Sequence, residues 1–215
     1  MSLMDVEARL RTAVTTVILD EYSLLENVRV PFTASERVIV HQVGWRLRNE
    51  FPRSWDVDVE YNREGTMPTA PEAGTATSRP VDLSIHHRGM RGVGHNLLVI
   101  AMKVAAVSDV KAEAARLKQT MERYSYQHGA ILSLGLTMGD EPKGPPVLVF
   151  PQWLWLPGRG QFTPIFTADA AHQLSRDGWE ARQRRYPEGS EGQEEYAPWR
   201  SQTPHEPEPI TWDGL

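Results

Sequence analysis

The sequence predicts a mixed α/β (α+β) fold, with helices flanking a mixed central sheet in the order α-α-β-β-β-α-β-β-α. Three observations predict it. Residues 96–104 read Asn-Leu-Leu-Val-Ile-Ala-Met-Lys-Val, a nearly unbroken apolar run of the kind that forms a strand buried on both faces. Residues 55–61 alternate instead, with Trp55, Val57, Val59 and Tyr61 on one face and Asp56, Asp58 and Glu60 on the other, as in a half-buried strand. Around these strands, apolar residues recur at steps of three and four, the period of amphipathic helices.

The elements follow in order. Met1-Ser2-Leu3 precedes a second methionine, Met4, and is set aside as a leader. Val6, Leu10, Val14, Val17 and Ile18 mark a helix over residues 5–21. Ser35 is a suitable N-cap for a second helix, on which Glu36, Val40, Val43 and Leu47 fall at steps of four, three and four. Glu36 thus heads a stripe that otherwise faces the core; as a first-turn glutamate it also complements the helix dipole. Phe51-Pro52 ends this helix, and the three carboxylates of the alternating strand read as a solvated face. Residues 66–79 have the Pro, Gly, Ser and Thr content of a mobile loop. Next come a strand beginning at Val81, a glycine-bearing turn between Gly89 and Gly94, and the apolar strand, so these two strands form a hairpin. Ser108-Asp109 caps a strong helix to Tyr124, striped by Val110, Ala114, Leu117, Met121 and Tyr124. Further strands are expected at 130–136 and 147–150. Trp153 and Trp155 follow as core or interface anchors, and a last helix spans 167–184.

Composition narrows the classes. A chain of 215 residues holds one ordinary domain, here 1–185, with a core at about 33–137 and an extension at 138–185. With no cysteine, disulfides, thiolate metal sites and thiol nucleophiles are excluded. No apolar stretch reaches bilayer-spanning length and no signal pattern opens the chain, so a cytoplasmic protein without a membrane partner is expected. The net charge of −5 is concentrated in the tail: residues 186–215 carry seven carboxylates against Arg200, a net −6, and read as disordered. The remaining body, at +1, is compatible with a nucleic-acid partner without advertising one.

One residue is out of place for packing. Lys103 lies inside the apolar strand, and a buried ammonium requires a partner. Alternation puts Lys103, Ala101, Val99 and Leu97 on one face, and Asp82, Ser84 and His86 on the polar face of the preceding strand, so the hairpin can bring Asp82 beside Lys103. Alternatively, Asp82 pairs with Arg79 or Arg88.

Pro80-Val81-Asp82 followed by Ala101-Met102-Lys103, with Ser35-Glu36 on the preceding helix and a helix-strand unit from Ser108 to Leu136, resembles the PD-(D/E)XK superfamily, whose fold is restriction-endonuclease-like. The resemblance implies a Mg²⁺- or Mn²⁺-dependent nuclease cleaving DNA phosphodiester bonds. In that reading Asp82 is a metal ligand, Met102 offers its backbone carbonyl, Lys103 assists the nucleophile and Glu36 completes the site. Arg79, Arg88 and Arg91 would contact nucleic acid, and a homodimer stays open.

Ala101 departs from the pattern, which asks for Glu or Asp at that ligand position. A methyl group binds no metal, so binding should be weakened or lost and most activity with it. The alanine is then an engineered knock-out, a natural loss in a non-catalytic module that binds nucleic acid or a protein, or a vacancy filled by a carboxylate from elsewhere, such as Glu113 or Glu60. The survival of Lys103 favours a recent or deliberate change. His86, His87 and His95 bracket the hairpin, but neighbours on a strand face opposite ways, so they read as a polar rim with Arg88 and Arg91 rather than a zinc site.

Overall fold

The apolar run forms the longest strand of a six-stranded mixed sheet with helices on both faces. The computed structural model describes residues 1–27, 36–60, 63–64, 67–68, 81–104, 109–139, 143–158 and 161–187. In chain order the elements are α1 (Leu3–Asp20), α2 (Tyr22–Asn27), α3 (Glu36–Glu50), β1 (Asp56–Val59), β2 (Arg63–Glu64), β3 (Met67–Pro68), β4 (Leu83–His86) and β5 (Asn96–Lys103). They continue with α4 (Val110–Tyr124), β6 (His128–Ser133), β7 (Leu136–Met138), β8 (Val147–Val149), β9 (Gln152–Leu156), β10 (Thr163–Pro164) and α5 (Ala168–Arg185).

The main sheet runs β1-β4-β5-β6-β9-β10. β5 and β6 are parallel, joined through α4, and all other neighbours in this sheet are antiparallel. A parallel pair needs such a crossover, whereas the hairpin of β4 and β5 needs only a short turn. α1 and α3 bury Val6, Leu10, Val14, Ile39, Val43 and Leu47 against Leu83, Leu98, Ile100 and Met102 on one face. On the other face Leu117 and Met121 of α4 pack on Val99, Ala101, Ile131 and Leu154. Each such Leu, Ile or Val contributes about 1.5–3 kcal/mol when taken fully from water. Gly44 lets α3 lie close to the sheet, because a Cβ there would meet methyl groups of Leu83 and Val59 at 2.8 Å.

Several expectations are corrected. The leader belongs to the fold: Ser2 caps α1 in a capping box with Asp5, satisfying main-chain donors at the helix start. The described residues contain six elements beyond the nine expected: α2, β2, β3, β7, β9 and β10. The strand expected at 130–136 divides at Gly135, whose φ of 59° turns the chain from β6 into β7. Val147–Val149 pairs with β7 in a separate hairpin, and the tryptophan run forms the strand that extends the main sheet beside β6. The strict alternation of the β5 face also fails at Leu97. A bulge lies where Ile85 pairs with Leu98 and His86 with Asn96, and it turns Leu97 into the first core instead. Part of the loop expected at 66–79 is strand β3; Ser35, Arg79, Pro80, Ser108 and most of the acidic tail lie outside the described residues. Among the described residues, no helix is long and apolar enough to cross a membrane.

Candidate functional site

The site lies at the C-terminal end of β5, where helices of both layers begin. Asp82 stands just before β4, and extending the antiparallel register from Leu83 with Ile100 sets it opposite Ala101. Its Oδ2 accepts the backbone N–H of Met102 at 2.6 Å. That bond fixes the carboxylate to the strand carrying Ala101 and Lys103 on either side. Lys103 ends β5, and its carbonyl accepts the N–H of Leu134 at 2.9 Å, tying the strand end to the residue that follows β6. Its ammonium lies 3.7 Å from Glu36 Oε1, at the first residue of α3. Both side chains are partly exposed, at 31% and 44%, so the pair opens to solvent. The structure therefore brings Glu36, Asp82 and Lys103 to one place and leaves Ala101, 8% exposed, beneath them.

The electrostatics tie these groups together. Burial pushes the Asp82 carboxyl above its ordinary value; the Met102 N–H and the Lys103 ammonium oppose that rise, and the negative charges of Glu36 and Glu113 add to it. Glu113 sits in the first turn of α4, bonded at 3.4 Å to Arg116, with its side chain only 14% exposed. The sequence names Glu113 as one carboxylate able to fill the Ala101 vacancy, but no spacing selects it over Glu60. The signal that could have found it was its place in the first turn of the helix following the lysine strand. Glu60, the other carboxylate weighed for the vacancy, pairs with Arg37 at 3.0 Å near the surface.

The remaining expected residues lie apart. The guanidinium of Arg88 binds Asp58 through both Nη2 and Nε, the latter at 2.8 Å, and its backbone N–H donates to Asp56. Asp58 therefore does not belong to a solvated face. It also meets Nε2 of the buried His86 at 2.8 Å. Burial works against the Asp58 carboxylate, yet the hydrogen bonds from His86 and Arg88 hold its carboxyl well below the usual range. Arg91 lies exposed on the turn between β4 and β5. His86 is buried and so leaves the expected rim, whereas His87 and His95 meet each other across the hairpin, Nδ1 to Nδ1, at 3.1 Å.

Hard oxygen donors of this kind suit Mg²⁺ or Mn²⁺. Among the described residues, no three His, Cys, Asp or Glu side chains converge closely enough to hold a metal ion by themselves. The carboxylates brought together here are those of Asp82, Glu113 and Glu36. The influence of both glutamates on Asp82 is a like-charge repulsion that a cation would relieve. Comparison with protein-family models, with curated proteins and with solved structures returns no match.

Proposed function

We propose that this protein is a nuclease of the PD-(D/E)XK type, acting on DNA with Mg²⁺ or Mn²⁺ and weakened by Ala101. The observation that carries the reading is the convergence of Asp82, Lys103 and Glu36 at the end of β5. The succession α3, β1, β4, β5, α4, β6 around that point supports a restriction-endonuclease-like core. Asp82 and the Met102 carbonyl would hold the ion, and Glu113 would supply the second carboxylate that Ala101 lacks. When bound, a divalent ion neutralises phosphate oxygens and lowers the pKa of a coordinated water.

The chain's own residues perform the positioning. The Met102 N–H fixes one oxygen of Asp82, leaving the other available. Lys103, steered by Glu36, keeps a positive charge beside the carboxylate, where it can orient a water or stabilise charge on a phosphate oxygen. Glu36 and Glu113, both acting on Asp82, lie in the first turns of α3 and α4, whose N-terminal dipoles favour an anionic substrate.

Ala101→Glu tests the reading. Supercoiled and linear DNA are incubated with MgCl₂ or MnCl₂, and cleavage should rise by at least tenfold in the variant and vanish when Asp82→Ala is added. Glu113→Gln should abolish the residual cleavage of the unaltered chain. No cleavage of duplex DNA, single strands or RNA by Ala101→Glu, with no metal bound, would overturn it.

A second reading is a non-catalytic module of the same fold that binds nucleic acid or a protein partner. The packing of Ala101 with Val99, Leu117 and Met121 favours it, because the ligand position has been absorbed into a core. DNA bound but left intact by both the unaltered chain and Ala101→Glu would support this second reading.

A further inference from the structure

Outside the Asp82 centre, two histidines face each other across the hairpin between β4 and β5. His87 Nδ1 and His95 Nδ1 are 3.1 Å apart. The main chain holds the two residues opposite each other, since the N–H of His87 donates to the carbonyl of His95 at 2.8 Å. The His87 ring is fixed further by stacking on Trp55, with centroids 4.0 Å apart and planes within 17°. Trp55 is anchored in turn by Arg48, whose Nη1 donates to its carbonyl at 2.9 Å.

This spacing has two chemical readings. Two neutral imidazoles can share one proton, which forces one Nδ1 to carry hydrogen and the other to accept it. The alternative is that both Nδ1 atoms present lone pairs to one cation. Two nitrogens each about 2.0–2.1 Å from a metal lie about 3.3 Å apart at a tetrahedral angle and about 2.9 Å apart at a right angle. The observed separation of 3.1 Å falls between these values. The turn beside the pair is open: a Cβ built at Gly92 or Gly94 would meet nothing within 4 Å. The nearest basic side chain in sequence, Arg88, has its guanidinium drawn onto Asp58.

We infer that His87 and His95 form a two-histidine site for a borderline divalent transition ion of the Zn²⁺, Ni²⁺ or Cu²⁺ class, with water filling the remaining positions. Imidazole suits these ions, whereas Mg²⁺ takes oxygen ligands. The site is thus chemically separate from the Asp82 centre, and each stands or falls without the other. Bound metal would clamp the two ends of the turn that joins the strands carrying Asp82 and Lys103.

The test uses the full chain without an affinity tag, stripped of metal and held at pH 7.5. ZnCl₂ and NiCl₂ are titrated calorimetrically, with MgCl₂ as the contrast. The expected result is saturable one-to-one binding of Zn²⁺ and Ni²⁺, accompanied by a rise in melting temperature. H87Q and H95Q should each weaken binding at least about tenfold, the loss that even outer-shell changes produce at metal sites. Undiminished binding in H87Q/H95Q, or no Zn²⁺ binding by the unaltered chain, overturns the site and leaves the shared proton. Cu²⁺ quenching of fluorescence gives a readout that does not depend on the histidine variants folding. Trp55, stacked on His87, should account for most of the quenching, and quenching that persists in full in Trp55→Phe would equally overturn the site.

Discussion

The Asp82 carboxylate accepts the Met102 N–H at 2.6 Å, so a group that burial drives toward neutrality is held against the main chain of the neighbouring strand. A carboxyl group whose folded-state pKa is raised favours the folded state only when protonated. Its contribution is therefore present below the unfolded value, near 3.9, and is lost as pH rises through the folded value. At neutral pH the charge costs stability.

Asp82→Asn removes that charge and keeps an oxygen to accept the Met102 N–H. The melting temperature at pH 7 should rise, and the gain should shrink when melting is repeated near pH 4. DNA cleavage should be lost in the same variant. A melting temperature that falls at pH 7 would show that the carboxylate is held for stability rather than for chemistry.

Lys103 and Glu36 act on Asp82 with opposite signs. Lys103→Met should move the Asp82 titration upward and Glu36→Gln should move it downward, both read by carbon NMR of the side-chain carboxyl. The ion pair itself is 3.7 Å long and partly exposed, so breaking it should change stability by less than about 1 kcal/mol. Shifts of the same sign in both variants would mean that the three groups do not share one field.

The convergence of these residues was legible because strand alternation and a short hairpin set register with few choices. Asp82 and Lys103 needed nothing more, and the helical step from Glu36 to Val40 placed the glutamate on the inward stripe. Glu113 was hard to see because one polar residue among several on a helix looks solvated until the crossover places its first turn. Asp58 was misread for a related reason: alternation gives a face, but only tertiary pairing shows that His86 and Arg88 cover it. The bulge at Leu97 left no sequence mark, since leucine suits either core. The histidines were judged as the adjacent pair His86 and His87, while the contact joins His87 to His95 across the turn.

Asp58 is expected to contribute to the acid limit of stability. Its folded pKa is depressed, so its contribution is complete above the unfolded value near 3.9 and is lost as pH falls through the folded one. Asp58→Asn should cost about 1.5–3 kcal/mol at pH 7, the range for hydrogen bonds to charged groups. It should also flatten the fall in stability below about pH 4, measured by urea unfolding at stepped pH. An acid limb of unchanged steepness would assign acid unfolding to other carboxylates.

The packing of α5 on α1 rests on Gly178. A Cβ at this position would run into the carbonyl oxygen of Ile18 and the ring of Tyr22, and a main-chain carbonyl cannot rotate away as a side chain can. On an open helix, Gly→Ala stabilises by up to about 1 kcal/mol through helix propensity. Here that gain should be outweighed, and Gly178→Ala should destabilise by about 1–3 kcal/mol net, lowering the melting temperature by about 2–4 °C per kcal/mol. Gly129→Ala offers the contrast, because its Cβ would meet the Met121 sulfur at the flexible end of a side chain, so a smaller loss is expected. The sign decides the matter: a melting temperature that rises in Gly178→Ala would mean that α5 does not approach the α1 backbone this closely.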